Sequence, residues 1–486
     1  MKGESHCTRA PSLPVALTVV LLAAAAARAG EAGPAETGVG PAAAIRRTAV
    51  PIDLAEALAR GRVDAFSAAA AEARRRGGEA RLRRARGFRL PTLSLQEIWI
   101  RTDSPADAFG LTLNQERFSF ADFVAGDPND PDAVESATTR LEVALPLYTG
   151  GEISSRIRQA ELGAEAGAGM AEWAGHQAAL AAGEAWLDLA LARERTALLE
   201  RSLATVTSHV ELARKSVEQG LIVTSEQLRA EVERARVADL LATARGYARV
   251  AEAQLTLRLA ADPGSSWDVG PLPAAPEPRR DLEGWLAAAQ GRADLEAARR
   301  GTEAAELEAE ARGAARKPRL ALVGRYDLVD DTPFGDHGDS TSILAMAGID
   351  LFSGGRHAAA TAQAQLEAEA AHHELEGFER SVGLEVEQAW VEADTARQRR
   401  DTAGAAVEAA REAERVVEAR FRQGVVRTID VLDAATALRE AETRELEARI
   451  DAWRAALRLA TRAGRPPEEA LPGRDDLPER SPDHAD

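Results

Sequence analysis

Leu145-Pro146-Leu147-Tyr148-Thr149-Gly150-Gly151 recurs as Ile349-Asp350-Leu351-Phe352-Ser353-Gly354-Gly355. The spacing is 352 − 148 = 204 residues, and three later landmarks keep it: Trp186 and Trp390, Gln219-Gly220 and Gln423-Gly424, Leu228 and Leu432. A register held without a gap over this distance is the mark of an internal duplication. The copies drift at their ends. Leu257-Arg258-Leu259-Ala260 matches Leu457-Arg458-Leu459-Ala460 at an offset of 200, which predicts a second-copy final helix one turn shorter. Pro91-Thr92-Leu93-Ser94-Leu95 matches Pro318-Arg319-Leu320-Ala321-Leu322 at 227, so the first copy carries 227 − 204 = 23 extra residues. They fall in the polar stretch Asp103–Ala137, which reads as a long loop.

Within each copy the hydrophobic period changes. Shorter helices are predicted at about Leu54–Arg86 and Arg292–Arg316. Then Leu141, Val143, Leu145 and Leu147 alternate with Arg140, Glu142 and Ala144, and Leu320, Leu322, Tyr326 and Leu328 alternate with Arg319, Arg325 and Asp327. A period of two over roughly ten residues suits either a soluble hairpin or a tilted strand crossing a bilayer. From Glu152 to Gln219, and again from Arg356 to Gln423, there is no proline. Apolar and small residues there fall at helical spacing, as in Ala406, Ala410, Ala413, Val417 and Phe421, with Leu446, Ile450, Trp453 and Leu457 on the partner helix. Gly220 and Gly424 end the first helix of each pair, and Thr224–Ala261 and Thr428–Ala463 return. Each copy therefore reads as two strands followed by a long antiparallel helical hairpin.

The domain reading is a signal peptide over 1–29, a first repeat over 30–261, a linker over 262–280, a second repeat over 281–464 and a disordered tail over 465–486. Lys2 and Arg9 precede the apolar run Val15–Leu22, and Ala27-Arg28-Ala29 has the small-x-small form of a cleavage site. Cys7, the only cysteine, lies before that run, where it cannot serve as a lipid-anchor site, so the mature chain is predicted to have no thiol chemistry. The formal charge of -18 contains +2 from residues 1–29, leaving -18 − 2 = -20 after cleavage. That acidity disfavours nucleic acid, which demands basic patches. No Walker loop, paired-histidine zinc helix or nucleophile elbow occurs, so the expectation is a chain that is not an enzyme and needs no cofactor or metal. His372-His373-Glu374 lies mid-helix and reads as a solvated face; Asp336-His337-Gly338-Asp339 reads as an exposed turn.

Four strands leave two edges, and a bilayer does not tolerate unpaired edges. If the strands lie in lipid, several chains must close the sheet. The junctions Pro146-Leu147-Tyr148-Thr149-Gly150-Gly151 and Leu351-Phe352-Ser353-Gly354-Gly355 resemble those of the TolC-like outer-membrane efflux family. So do both Gln-Gly turns, the run Gly424-Val425-Val426-Arg427-Thr428-Ile429-Asp430-Val431-Leu432-Asp433-Ala434, and Arg292-Ala293-Asp294-Leu295, which has Ala in place of that family's Pro. The resemblance spans about Ile52 to Gly464. It implies a mainly α fold with a small β part: a homotrimer whose duplicated hairpins form an α-barrel and whose strands, four per chain, form a 12-stranded transmembrane β-barrel. It places the chain in the outer membrane with a tunnel into the periplasm. The implied function is the passive exit duct of a tripartite efflux or type I secretion system, with a periplasmic adaptor (membrane fusion) protein, an inner-membrane transporter and outer-membrane lipid as partners. A soluble periplasmic coiled-coil adaptor or scaffold is the alternative.

The same resemblance assigns sites. Asp430 and Asp433, three residues apart, match acidic positions that narrow the periplasmic tip, with Glu226 as the first-copy counterpart and Arg427 as a bridging charge. Gly220-Leu221 and Gly424-Val425 match the tip motif gripped by adaptors. Pro146, Gly150, Gly151, Gly354 and Gly355 form the strand-to-helix junctions. Read without the resemblance, the acids are also plain helix N-terminal residues favoured by the dipole, and the glycines plain punctuation.

Overall fold

The absence of proline in the two long runs has the expected consequence: each forms a single helix of 67 residues, about 100 Å at 1.5 Å per residue. The computed structural model describes residues 49–127, 129–220, 222–270, 272–273, 280–423 and 425–471. The signal peptide read over 1–29, Leu221 and Gly424 lie outside the described residues.

The chain opens with β1 (Val50–Ile52), α1 (Leu54–Asp64) and α2 (Phe66–Gly87), followed by β2 (Thr92–Thr102). Two short helices, α3 (Pro105–Asn114) and α4 (Phe120–Ala125), precede β3 (Val134–Tyr148). The first hairpin is α5 (Glu152–Glu218) and α6 (Thr224–Arg258). After β4 (Trp267–Val269) come α7 (Leu282–Ala289), α8 (Ala293–Gly313), β5 (Arg319–Asp330) and β6 (Gly338–Gly348), then the second hairpin α9 (Arg356–Arg422) and α10 (Thr428–Arg462).

Strands β2, β3, β5 and β6 form one antiparallel sheet in that order, so the two copies join through β3 and β5. Pro146 lies in β3 beside an irregularity in the β3–β5 pairing, where its missing N–H costs no regular ladder bond. The corner into each long helix needs two consecutive left-handed residues: φ is 69° and 100° at Gly150 and Gly151, and 61° and 79° at Gly354 and Gly355. Side chains rarely adopt that geometry, and a Cβ on Gly150 would also lie 2.6 Å from the Ala314 carbonyl.

Helix packing runs α6 on α5, α5 on α10 and α10 on α9; nearer the sheet it runs α2 on α5, α5 on α8 and α8 on α9. The main core joins α1, α5, α6 and α10 around Leu58, Trp186 and Trp453. Large side chains buried this completely contribute about 2–3 kcal/mol each. The Trp186 indole N–H donates to the Ile52 carbonyl at 2.9 Å, and that of Trp453 to Pro273 at 3.0 Å.

Several sequence expectations change. The helix expected over Leu54–Arg86 is broken at Ala65, whose ψ of 139° is extended, so that α1 can turn into the core. The loop over Asp103–Ala137 contains α3, α4 and the start of β3, organised by mutual contacts of Phe109, Phe118 and Phe123. The linker 262–280 contains β4, which pairs in parallel with β1 and buries Trp267. Ile450, Trp453 and Leu457 pack with the first copy, in the core around Trp186. Within the tail expected from Arg465, Pro467–Ala470 form a 3-10 turn, with Glu468 bound to Arg62 and Glu469 to Arg280; residues 472–486 lie outside the described residues.

The last helices are also equal in length, 35 residues each, not one turn different. The repeated Leu-Arg-Leu-Ala string sits one turn earlier relative to the end of α10, because similar residues recur every turn. The cap shows the true register. Ala260 N–H donates to Leu257 and Ala261 N–H to Thr256; Gly464 N–H donates to Thr461 and Arg465 N–H to Ala460. Both caps are left-handed, with φ of 48° at Ala260 and 75° at Gly464. Alanine is strained there, so Ala260→Gly is expected to stabilise the fold by about 0.5–1 kcal/mol. A denaturation midpoint that stays or falls contradicts this.

Candidate functional site

In the rows nearer the long helices the sheet separates two chemistries by residue parity; toward the other end Glu97, Arg101, Glu135 and Asp339 share the parity of the apolar side. On one face, Leu93, Val143, Gly324 and Ile343 lie in one cross-strand row, and Leu95, Leu141, Tyr326 and Thr341 in another. Leu145, Leu322 and Ala345 extend that face. Leu93, Leu95 and Ile343 are among its most exposed members, with nothing among the described residues covering them. The opposite face carries Ser94, Glu142, Arg325 and Ser342, then Gln96, Arg140, Asp327 and Ser340. Its charges are paired: Arg140 with Asp327 at 2.8 Å and Arg325 with Glu142 at 2.6 Å. A sheet with a bare apolar face and a self-neutralised polar face suits a wall between lipid and a wet lumen. Both β2 and β6 end the sheet with no partner strand among the described residues. No described helix is long and apolar enough to cross a membrane.

At the far end of the hairpins, α5 stops at Gly220, which is left-handed with φ of 70°. Its carbonyls are closed by Gly220 N–H donating to Val217. Val425 beyond the second helix is exposed, and its N–H donates to Arg420. Asp430 sits in the first turn of α10 and reaches back to accept from the Arg427 backbone N–H at 2.8 Å. The exposed Arg427 guanidinium is 3.9 Å from the same carboxylate. Asp433 is exposed one turn on, in no ion pair among the described residues. Glu226 begins α6, and one of its carboxylate oxygens is buried without a partner, as is the Thr428 hydroxyl. Ala230 and Leu432, each four residues further, meet over Val210, so the starts of α6 and α10 lie side by side. The structure thus joins Asp430 to Arg427, while Asp433 and Glu226 stand apart from that pair.

Sequence reading missed a buried tie just above the tip. Arg439 of α10 binds Glu233 of α6 at 2.9 Å, and Thr436 donates to the same carboxylate at 3.4 Å. Nothing in the repeat flags it, because the residues pair across copies at different registers. Nearby, His209 of α5 faces Glu418 of α9 at 4.0 Å. Burial holds the His209 imidazole below its ordinary value, against the opposing pull of Glu418. Glu414 is raised, chiefly by burial, then by Glu418 and Glu442. His372 is exposed and pairs with Glu306 at 2.7 Å, and residues 338–339 belong to β6. Among the described residues no cluster of three or more His, Cys, Asp or Glu could hold a metal.

Residues 287–465 match the family described as outer membrane efflux protein. That match covers the second repeat. Over 85% of its length the chain has the fold of TolC-like outer-membrane channels. It matches the outer membrane protein VceC from Vibrio cholerae at 20% identity, covering 85% of this chain and 96% of that one, with a TM-score of 0.70. The Campylobacter jejuni CmeC outer membrane channel matches at 14%, covering 85% of each, with 0.72. The open state of the Neisseria gonorrhoeae MtrE outer membrane channel matches at 19%, covering 85% and 89%, with 0.68. No curated protein sequence matches.

The depressed His209 fixes a sign for the acid stability of the chain. Its folded form holds fewer protons than the unfolded chain near the ordinary value of 6.5, so this contribution is present above that pH and lost as pH falls through it. Glu414, raised above 4.5, opposes the loss at lower pH. His209→Asn is expected to flatten the fall in thermal midpoint between about pH 7 and 5. An unchanged slope contradicts the assignment.

Proposed function

We propose that three copies of this efflux protein form the exit duct of a tripartite export system, in which substrate passes passively from a periplasmic adaptor and inner-membrane transporter to the exterior. The observation that carries this is the four-stranded sheet, bare and apolar on one side, charge-paired on the other and open at both edges. In hydrocarbon an unpaired strand edge costs several kcal/mol per orphaned group. Joining β6 of one copy to β2 of the next removes every edge. Three copies make a 12-stranded barrel, and the 67-residue helices continue as its tunnel. The alternative of a soluble adaptor leaves the apolar face unexplained.

The tip carries the gate in this reading. Asp430 and Asp433 form acidic rings when repeated by symmetry, Arg427 offsets part of that charge, and Glu226 contributes from the first copy. The Gly220 turn and Val425, with Leu221 and Gly424, form the adaptor's docking point. Such rings favour cations. Purified protein in planar bilayers is expected to conduct with cation preference, and Asp430→Asn with Asp433→Asn is expected to shift the reversal potential toward neutrality. A protein that never conducts contradicts the duct; conduction with unchanged selectivity contradicts the acidic gate.

A further inference from the structure

The two copies occupy equivalent positions but do not have equivalent neighbours. Leu162 of α5 is 0% exposed, whereas Leu366 of α9, 204 residues on, is 65% exposed. Leu180 and Leu384 differ in the same way, at 8% and 55%, as do Leu187 and Val391, at 0% and 50%. The face of α5 that holds these residues is covered by the second copy's α8 and α10. The same face of α9 has no such covering helices among the described residues.

The covering helices can be named by register. Offset 227 relates α8 to α2, since 293 − 66 = 227. Offset 204 relates α10 to α6. On α6 the counterparts of the buried Ile450, Trp453 and Leu457 are Gly246, Arg249 and Ala253, which line a shallow open groove of about 830 Å³ with Val250 and Leu257. On α8, Arg300 reaches Glu165 at 3.3 Å, Glu303 reaches Arg158 at 3.2 Å and Glu308 reaches Gln159 at 3.0 Å. The α2 counterparts of Arg300, Glu303 and Glu308 are Ala73, Arg76 and Arg81; the α9 counterparts of Glu165, Arg158 and Gln159 are Glu369, Ala362 and Gln363.

The charge pattern differs between these two seams. Inside the chain both sides carry both signs. Helix α2 instead has seven arginines and two glutamates, in a chain of net charge -18. Arg75, Arg76 and Arg86 have carboxylate partners, and among the described residues no ion pair or hydrogen bond occupies the Arg74, Arg81, Arg83 or Arg84 side chains. Glu369, the counterpart of Glu165 on the bare face of α9, is exposed with no ion pair among the described residues, where Glu367 has only Gln363. Between the arginines run Ala73, Gly77 and Ala80, all exposed, and a Cβ on Gly77 would meet nothing.

We propose that in the assembled ring α2 of one copy clamps α9 of the next: Ala73, Gly77 and Ala80 cover Leu366, while Arg74, Arg76 and Arg81 pair with Glu367 and Glu369. This rests on the multi-chain reading above and adds which surfaces meet and by what chemistry. The occupant is a second copy because the internal repeat supplies the template for the contact. The opposite polarity of the two helices also sets this seam apart from the internal one, so α9 selects the first repeat of another chain.

The test uses the full chain in detergent. An Ala73→Cys, Glu369→Cys variant treated with a short bis-maleimide is expected to give covalent dimers and trimers, the chain's other cysteine being Cys7 alone. Arg76→Glu with Arg81→Glu is expected to weaken assembly at least about tenfold at low ionic strength, less at high salt, and Glu367→Arg with Glu369→Arg in the same chain to restore it. Wild-type trimers by native mass with no cross-link and no effect of charge reversal overturn the clamp and leave the ring standing. Wild-type monomers overturn both. Trimers that survive reversal but lose bound anionic phospholipid assign the arginines to lipid and overturn the clamp.

Discussion

The whole architecture depends on where the backbone hydrogen bonds of β2 and β6 go. Among the described residues, β3 and β5 have strand partners on both sides, but β2 and β6 each have one side with no partner strand. Water could take the backbone groups on that side if the sheet were soluble. The bare row of Leu93, Leu95 and Ile343 argues for hydrocarbon instead, where no such acceptor exists. The proposed closure by further copies rests on this hydrogen-bonding demand. The positions of the helices follow in turn, because the Gly-Gly corners tie each strand pair to its hairpin.

Duplication gives the closure its geometry. The link between copies inside the chain is visible at β3–β5, α5–α8 and α5–α10. The proposed link between chains is its repeat, made by different residues. Quasi-equivalence also explains features that look arbitrary in one copy: the open groove on α6, the exposed leucines of α9 and the concentration of arginine on α2. In the proposed ring each is half of a contact whose other half lies on another chain. At the tip the same logic sets the copies apart, since only the second presents the acid pair Asp430 and Asp433.

Much of this was legible in the sequence. A period of two, a proline-free run and a fixed offset are local signals, and they placed the strands, the long helices and the tip turns. The parts that were not legible depend on distant partners. Strand β4 is three residues long and exists because β1, more than 200 residues earlier, pairs with it. Trp453 reads as hairpin packing, yet tertiary contact turns it onto Trp186. Helices α3 and α4 form around three phenylalanines spread through a polar stretch, with no helical period to announce them. The tie between Arg439 and Glu233 joins the two copies off register, where a repeat search is blind. The end of α10 was misplaced because Leu-Arg-Leu-Ala recurs at turn spacing, and only the left-handed caps at Ala260 and Gly464 fix the alignment.

Backbone hydrogen exchange of the detergent-solubilised protein, resolved to individual strands, tests the edge argument most directly. If the sheet closes between copies, the amides of β2 and β6 are protected as strongly as those of β3 and β5. If β2 and β6 exchange rapidly on their outer sides while β3 and β5 stay protected, the sheet is open and the duct does not exist.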